Sequence, residues 1–105
     1  MKPSLREEAI LVAQRLREEL KPSAILLFGS VARGSEMDGS DLDLCLLFDE
    51  MPGRKLEVMR AARRISRPIY KGAMDIITYS NEEWDAYIAA RSSFELRLQR
   101  EAISL

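Results

Sequence analysis

Residues Ala24–Phe28 (AILLF) are apolar without a break, and Gly29-Ser30 follows with no spacer. Five residues are too few for a helix and suit a buried strand. Residues 41–48 (DLDLCLLF) form a second run, which opens with acid alternating with leucine and ends wholly apolar. Residues 73–79 (AMDIITY) form a third, with one acid embedded in it. Short buried strands need helices packed over them. The expected fold class is therefore α/β (α+β): a small mixed β-sheet with helices largely on one face.

The helices to cover that sheet are legible between the strands. Ser4 and Glu7 have capping-box spacing, with Pro3 just before the cap. Leu5, Ala9, Val12, Leu16 and Leu20 then recur on one helical face, and Lys21-Pro22 stops the helix. Residues 31–34 read as a short helical turn, and residues 36–40 as a loop signalled by Asp38-Gly39. Met51-Pro52-Gly53 breaks the chain after the second strand. Residues 54–67 are expected to be helical, with Val58, Ala61, Ala62 and Ile65 inward and Pro68 at the end. Ser80 and Glu83 make a second capping box, opening a helix from residue 81 to about residue 90 with Trp84 and Ile88 one turn apart. Phe94 and Leu98 predict another turn or two of helix, and residues 102–105 a last short strand. No repeat, linker or low-complexity run divides the 105 residues, so residues 1–105 are expected to form one domain.

Composition removes several chemistries. There is no His, which excludes Ser-His-Asp, Cys-His and His-ligated zinc sites. A single Cys forms no internal disulfide. The net charge of -1 argues against direct nucleic-acid binding as the whole function. No segment reaches the roughly 18 apolar residues of a membrane span, and the first eight residues lack the apolar core of a signal peptide. A cytoplasmic location is expected, with no membrane partner.

What remains is carboxylate chemistry. Asp41 and Asp43 are two apart on a strand, so both point to one face. Like charges that close repel unless a cation or solvent relieves them. Asp75 lies between Met74 and Ile76, where an ionised carboxylate is costly without a partner. Were the two strands neighbours in register, the three carboxylates would meet, and hard oxygen donors of this kind suit two magnesium ions. Gly29-Ser30, leaving a buried strand, offers backbone N–H groups and a hydroxyl to a phosphate. Magnesium with a triphosphate is the natural ligand of such a pair of sites, and phosphoryl or nucleotidyl transfer the natural reaction. Taken singly, each feature has an ordinary reading: a turn, a solvated strand end, an edge-strand acid. Their conjunction is far more specific.

The run Gly29-Ser30-Val31-Ala32-Arg33-Gly34, then Ser40-Asp41-Leu42-Asp43-Leu44, then Met74-Asp75-Ile76, resembles the minimal nucleotidyltransferases of the DNA polymerase beta superfamily. The resemblance spans nearly the whole chain. It implies that Gly29 and Ser30 contact the nucleoside triphosphate and that Asp41, Asp43 and Asp75 are the catalytic residues, holding two Mg2+ ions. It further implies an antitoxin role, in which AMP passes from ATP (or another NTP supplies its nucleotide) to a tyrosine of a helical HEPN-type toxin partner. Two other readings stay open: a non-catalytic antitoxin acting by occlusion, and the catalytic subunit of a two-chain transferase modifying a small molecule.

Other residues are less specific. Arg33, in the Gly-Ser loop, reads equally as a surface charge and as a residue that reaches a phosphate, and in the second reading joins Gly29 and Ser30 as a nucleotide-binding candidate. Arg60, Arg63, Arg64 and Arg67 make a basic stripe that reads first as a solvated face and second as a docking surface. Ser35 and Ser40 read as turn residues. Cys45 reads as a small buried side chain. Trp84, Tyr87 and Phe94 read as core or partner-helix contacts ahead of a base-stacking platform.

Overall fold

The computed structural model describes residues 4–34 and 41–105. Helix α1 (Leu5–Leu20) leads into strand β1 (Ala24–Phe28), the short helix α2 (Gly29–Arg33) and β2 (Leu42–Phe48). Helix α3 (Lys55–Ser66), β3 (Met74–Ser80), α4 (Asn81–Ala89), α5 (Ser93–Glu101) and β4 (Ile103–Ser104) complete the chain. The expected 36–40 turn, with Ser35, Ser40 and Pro3, lies outside the described residues.

The strands form one mixed sheet in the order β3-β2-β1-β4. β1 runs antiparallel to β2 and to β4, while β2 and β3 are parallel. A parallel pair needs a crossover, and α3 supplies it. The central strand β2 is buried almost throughout, which its apolar end requires, since both faces of the sheet are covered. On one face Leu42, Leu44, Leu46 and Phe48 join Ile25, Leu27 and Ile76 beneath Ala9, Val12 and Leu16 of α1 and Val58 and Ala62 of α3. Each such fully buried aliphatic chain contributes roughly 1.5–3 kcal/mol. The inward residues expected for α1 and α3 pack there, except Ala61, which is only half-buried and stands outside the cluster.

The alternate residues of β2 and β3 face the other way. Cys45, Leu47 and Tyr79 meet Trp84 of α4 and Leu98 of α5 in a second, smaller cluster. Helices were expected largely on one face; α1, α2 and α3 share one, but the nine-residue helices α4 and α5 cover the other. Both capping serines act as read from the sequence: Ser4 Oγ accepts from the Glu7 N–H, and Ser80 and Glu83 form a reciprocal capping box. Several boundaries differ: α2 begins at Gly29, two residues early, and α3 and β3 are each offset by one residue at both ends. β2 begins at Leu42, leaving Asp41 just outside it; α5 runs to nine residues; and the last strand is only the pair Ile103 and Ser104.

Candidate active site

Asp43 belongs to the face covered by α4 and α5, because it alternates with Leu42 and Leu44 and falls in phase with Cys45 and Leu47. Its neighbours follow from register. Across the antiparallel pair it faces Phe28, and across the parallel pair it faces Asp75. Adjacent strands stand about 4.8 Å apart, so the two carboxylates are rooted side by side at the end of the sheet where β1 finishes and β2 and β3 begin. Asp75 is exposed on the edge strand β3, Asp41 is exposed, and Asp43 is half-buried.

Gly29 makes room for this arrangement. Its φ is +75°, and a Cβ built there would overlap the Asp43 carboxylate. Only glycine meets both demands at once. The turn is then fastened from outside. Gly34, also left-handed at φ +73°, closes α2, and its N–H donates to the Val31 carbonyl at 3.2 Å. Arg6 of α1 donates to the carbonyls of Val31 and Ala32, each at 3.2 Å. The entry to β3 has its own clamp: Arg67 at the end of α3 donates to the carbonyls of Tyr70 (3.3 Å) and Gly72 (2.8 Å), and the Leu42 N–H donates to the Ala73 carbonyl at 2.9 Å. Arg6 and Arg67 thus fix the two segments carrying the site.

The electrostatics match the crowding. The Asp43 carboxyl is raised from 3.8 to about 6, first by burial, then by the charges of Asp75 and Asp41, with Arg33 opposing. A half-buried acid held among like charges, with one arginine for relief, is a donor set short of positive charge. Its chemistry fits a hard divalent cation, for which oxygen ligands are preferred. The side chains do not yet enclose one: among the described residues no three His, Cys, Asp or Glu side chains cluster tightly enough to hold an ion. Register therefore unites Asp43 with Asp75 and with the Gly29 turn, and Asp41 stands next to them. Ser30 is half-buried in the first turn of α2, and Arg33 is exposed at its end.

Two features of this face were not visible in the sequence. Glu95 is buried, with Tyr79 Oη donating to one carboxylate oxygen at 2.5 Å and Ser92 Oγ donating to the other. The spacing Ser92-x-x-Glu95 is the available signal, since it is that of a capping box. Beside Gly29, a hollow of about 110 Å3 lies between α2 and α5. Trp84 is buried as expected, whereas Tyr87 and Phe94 are exposed at 43% and 46%.

A strand ending in a glycine turn beside paired carboxylates is the layout of an enzyme that handles nucleoside phosphates. Residues 11–94 match the family described as Polymerase beta, Nucleotidyltransferase. The chain belongs to that family, whose general chemistry is nucleotidyl transfer. Among solved structures, one named as a candidate minimal nucleotidyltransferase superposes with a TM-score of 0.65 at 26% identity, over 96% of this chain and 92% of the other. A candidate nucleotidyltransferase from Sulfolobus solfataricus has the same fold, with a TM-score of 0.54 at 20% identity over 99% of this chain and 87% of the other. No curated protein matches the sequence.

Proposed function

We propose that these 105 residues act as one Mg2+-dependent nucleotidyltransferase domain, moving AMP from ATP to a hydroxyl, and that the acceptor is a tyrosine of a HEPN-type helical toxin which the chain neutralises. The observation that carries the catalytic part is the juxtaposition of Gly29, Asp43 and Asp75 at one sheet end. The acceptor rests on resemblance to the small stand-alone members of the family. A cytoplasmic setting goes with this reading; among the described residues no helix is long and apolar enough to cross a membrane.

In this scheme Asp41, Asp43 and Asp75 are the metal ligands, and Asp41 and Asp75, both exposed, turn toward Asp43 to complete the set. When bound, the ions supply charge neutralisation for the triphosphate and a lowered pKa for the attacking hydroxyl. The protein's own residues supply position. Gly29 brings the backbone close to the phosphates, Ser30 offers its hydroxyl and Arg33 its charge. The acceptor oxygen forms a bond to the α-phosphorus as the bond to the pyrophosphate oxygen breaks. The acceptor proton leaves to a carboxylate or to solvent, there being no His to take it.

The test uses labelled ATP, magnesium and a HEPN-type helical toxin as the acceptor. Replacing Asp41 and Asp43 by Asn removes two charges and keeps the shape. Label transfer should fall by at least about a hundredfold, the order expected when transition-state charge stabilisation is lost. A folded double variant that transfers at the wild-type rate refutes the carboxylate assignment. One that no longer transfers yet still protects cells makes occlusion the biological mechanism.

A further inference from the structure

The hollow beside Gly29 shares that residue with the Asp43 contact. Phe28, Gly29 and Arg33 line one side, and Phe94, Arg97 and Glu101 line the other. The last three are spaced by three and four residues and so share one face of α5. Phe94 is a large aromatic left 46% exposed, with its ring held at 89° to that of Phe28, 6.2 Å between centroids. At about 110 Å3 the hollow is well below the roughly 300–1,000 Å3 that encloses a whole drug-sized ligand. Its size suits one end of a longer molecule.

The lining selects the kind of end. A phosphate would meet Arg33 and Arg97 but gains nothing from two phenylalanines and is repelled by Glu101. An aliphatic chain gains nothing from Arg33 and Arg97. A flat heteroaromatic ring suits all of them: its faces stack on Phe94 and on guanidinium planes, and its polar edge meets the Arg97 donors and the Glu101 acceptor. Gly29 belongs to this lining and also packs against the Asp43 carboxylate.

We propose that this hollow is the nucleobase pocket for the nucleotide donor, with Phe94 and Arg97 as its stacking and edge-reading residues. The assignment rests on the reading of the Gly29–Asp43 end as a triphosphate site. It gives α5 a role in choosing the nucleotide, while the sheet end holds the phosphates.

Calorimetric titration of two probes separates the two halves: magnesium with ATP, and magnesium with inorganic tripolyphosphate, which has no base. Phe94→Ala and Arg97→Ala are compared with the wild type, and Phe94→Trp serves as the conservative replacement. The expected result is at least about a fivefold loss of ATP affinity in Phe94→Ala, the low end for a lost base–aromatic stack. Arg97→Ala should also weaken ATP, Phe94→Trp should restore it, and tripolyphosphate should bind all four chains equally. If both alanine variants bind ATP as the wild type does, the base lies elsewhere and the triphosphate reading stands. If tripolyphosphate weakens in step with ATP, the base assignment is wrong. A wild type that binds neither probe overturns the triphosphate reading and this inference with it.

Discussion

The Asp43 carboxylate occupies the space where a side chain on residue 29 would begin. Strand end and catalytic candidate are thereby locked in one geometry, and each constrains what the other position can be.

Gly29→Ala should therefore be costly in two ways. The left-handed backbone at φ +75° disfavours a Cβ by about 1–2 kcal/mol, and the new methyl also displaces Asp43. Gly34 separates the two effects. It shares the left-handed conformation, but a Cβ there meets nothing within 4 Å. Thermal melts should put Gly34→Ala lower than the wild type by the strain alone and Gly29→Ala lower still. Nucleotide binding should survive at position 34 and fail at position 29. Equal behaviour of the two variants would mean that the Asp43 contact is without consequence.

The raised carboxyl of Asp43 makes a pH prediction. Its native value of about 6 lies above the unfolded 3.8, so the folded chain binds this proton more tightly. The stability it contributes is complete below about pH 4 and is lost as pH rises through about 6. Asp43→Asn removes that dependence. With divalent ions chelated, the variant's melting temperature should gain on the wild type between about pH 4.5 and about pH 7.5. Parallel curves would show that neither burial nor the charges of Asp75 and Asp41 raise this carboxyl in solution.

Much of this site was legible because its parts obey local rules. A buried strand, the glycine turn and the Asp-x-Asp alternation each follow from short-range chemistry, and two capping serines placed the starts of their helices to the residue. What escaped needed tertiary contacts. In α5 the apolar residues Phe94, Leu96 and Leu98 alternate in the manner of a strand, and Ser92 turns its hydroxyl to Glu95 instead of capping the helix. A glutamate reads as surface in any sequence, so beyond the Ser92-x-x-Glu95 spacing its burial against Tyr79 had no outward sign. Arg67 likewise reads first as a solvated charge, since nothing local says which carbonyls a long side chain will reach.

The Glu95 pair should be sensitive to removal of either donor. Burial acts to raise this carboxyl, but the bonds from Ser92 and Tyr79 outweigh it and leave it below the usual range. Its stabilisation is present above the unfolded value and is lost as pH falls through the native one. Tyr79→Phe leaves a buried carboxylate short of a donor, a loss of about 1–3 kcal/mol at neutral pH. The deficit should shrink in acid. A variant as stable as the wild type at pH 7 would show that the contact is not formed in solution.

Cys45 lies on the same face beneath these groups. Burial pushes its thiol up to about 12, the Glu95 charge adds to this, and Lys55 opposes it. A thiol with so little thiolate is unreactive. Iodoacetamide at about pH 8 should leave the native chain unmodified for hours and alkylate it promptly in denaturant. Prompt labelling without denaturant would mean that the cluster of Cys45, Leu47 and Trp84 opens readily.

Thr78 offers the opposite case, a position where the native residue is not the most stabilising one. It is fully buried, on the face of β3 toward α3, and among the described residues its Oγ1 is the one buried side-chain oxygen without a hydrogen-bond partner. An unpaired buried hydroxyl costs roughly 1–3 kcal/mol on mutational scales. Thr78→Val replaces it with a methyl of similar shape on a strand that favours β-branched residues. The variant should match or exceed wild-type stability by up to about 2 kcal/mol, read from denaturant midpoints at unchanged slope. Nucleotide binding should be unaffected, because Thr78 lies three residues beyond Asp75 and faces away from it. A clear loss of stability would show that the hydroxyl has a partner after all, with an ordered water the first to seek.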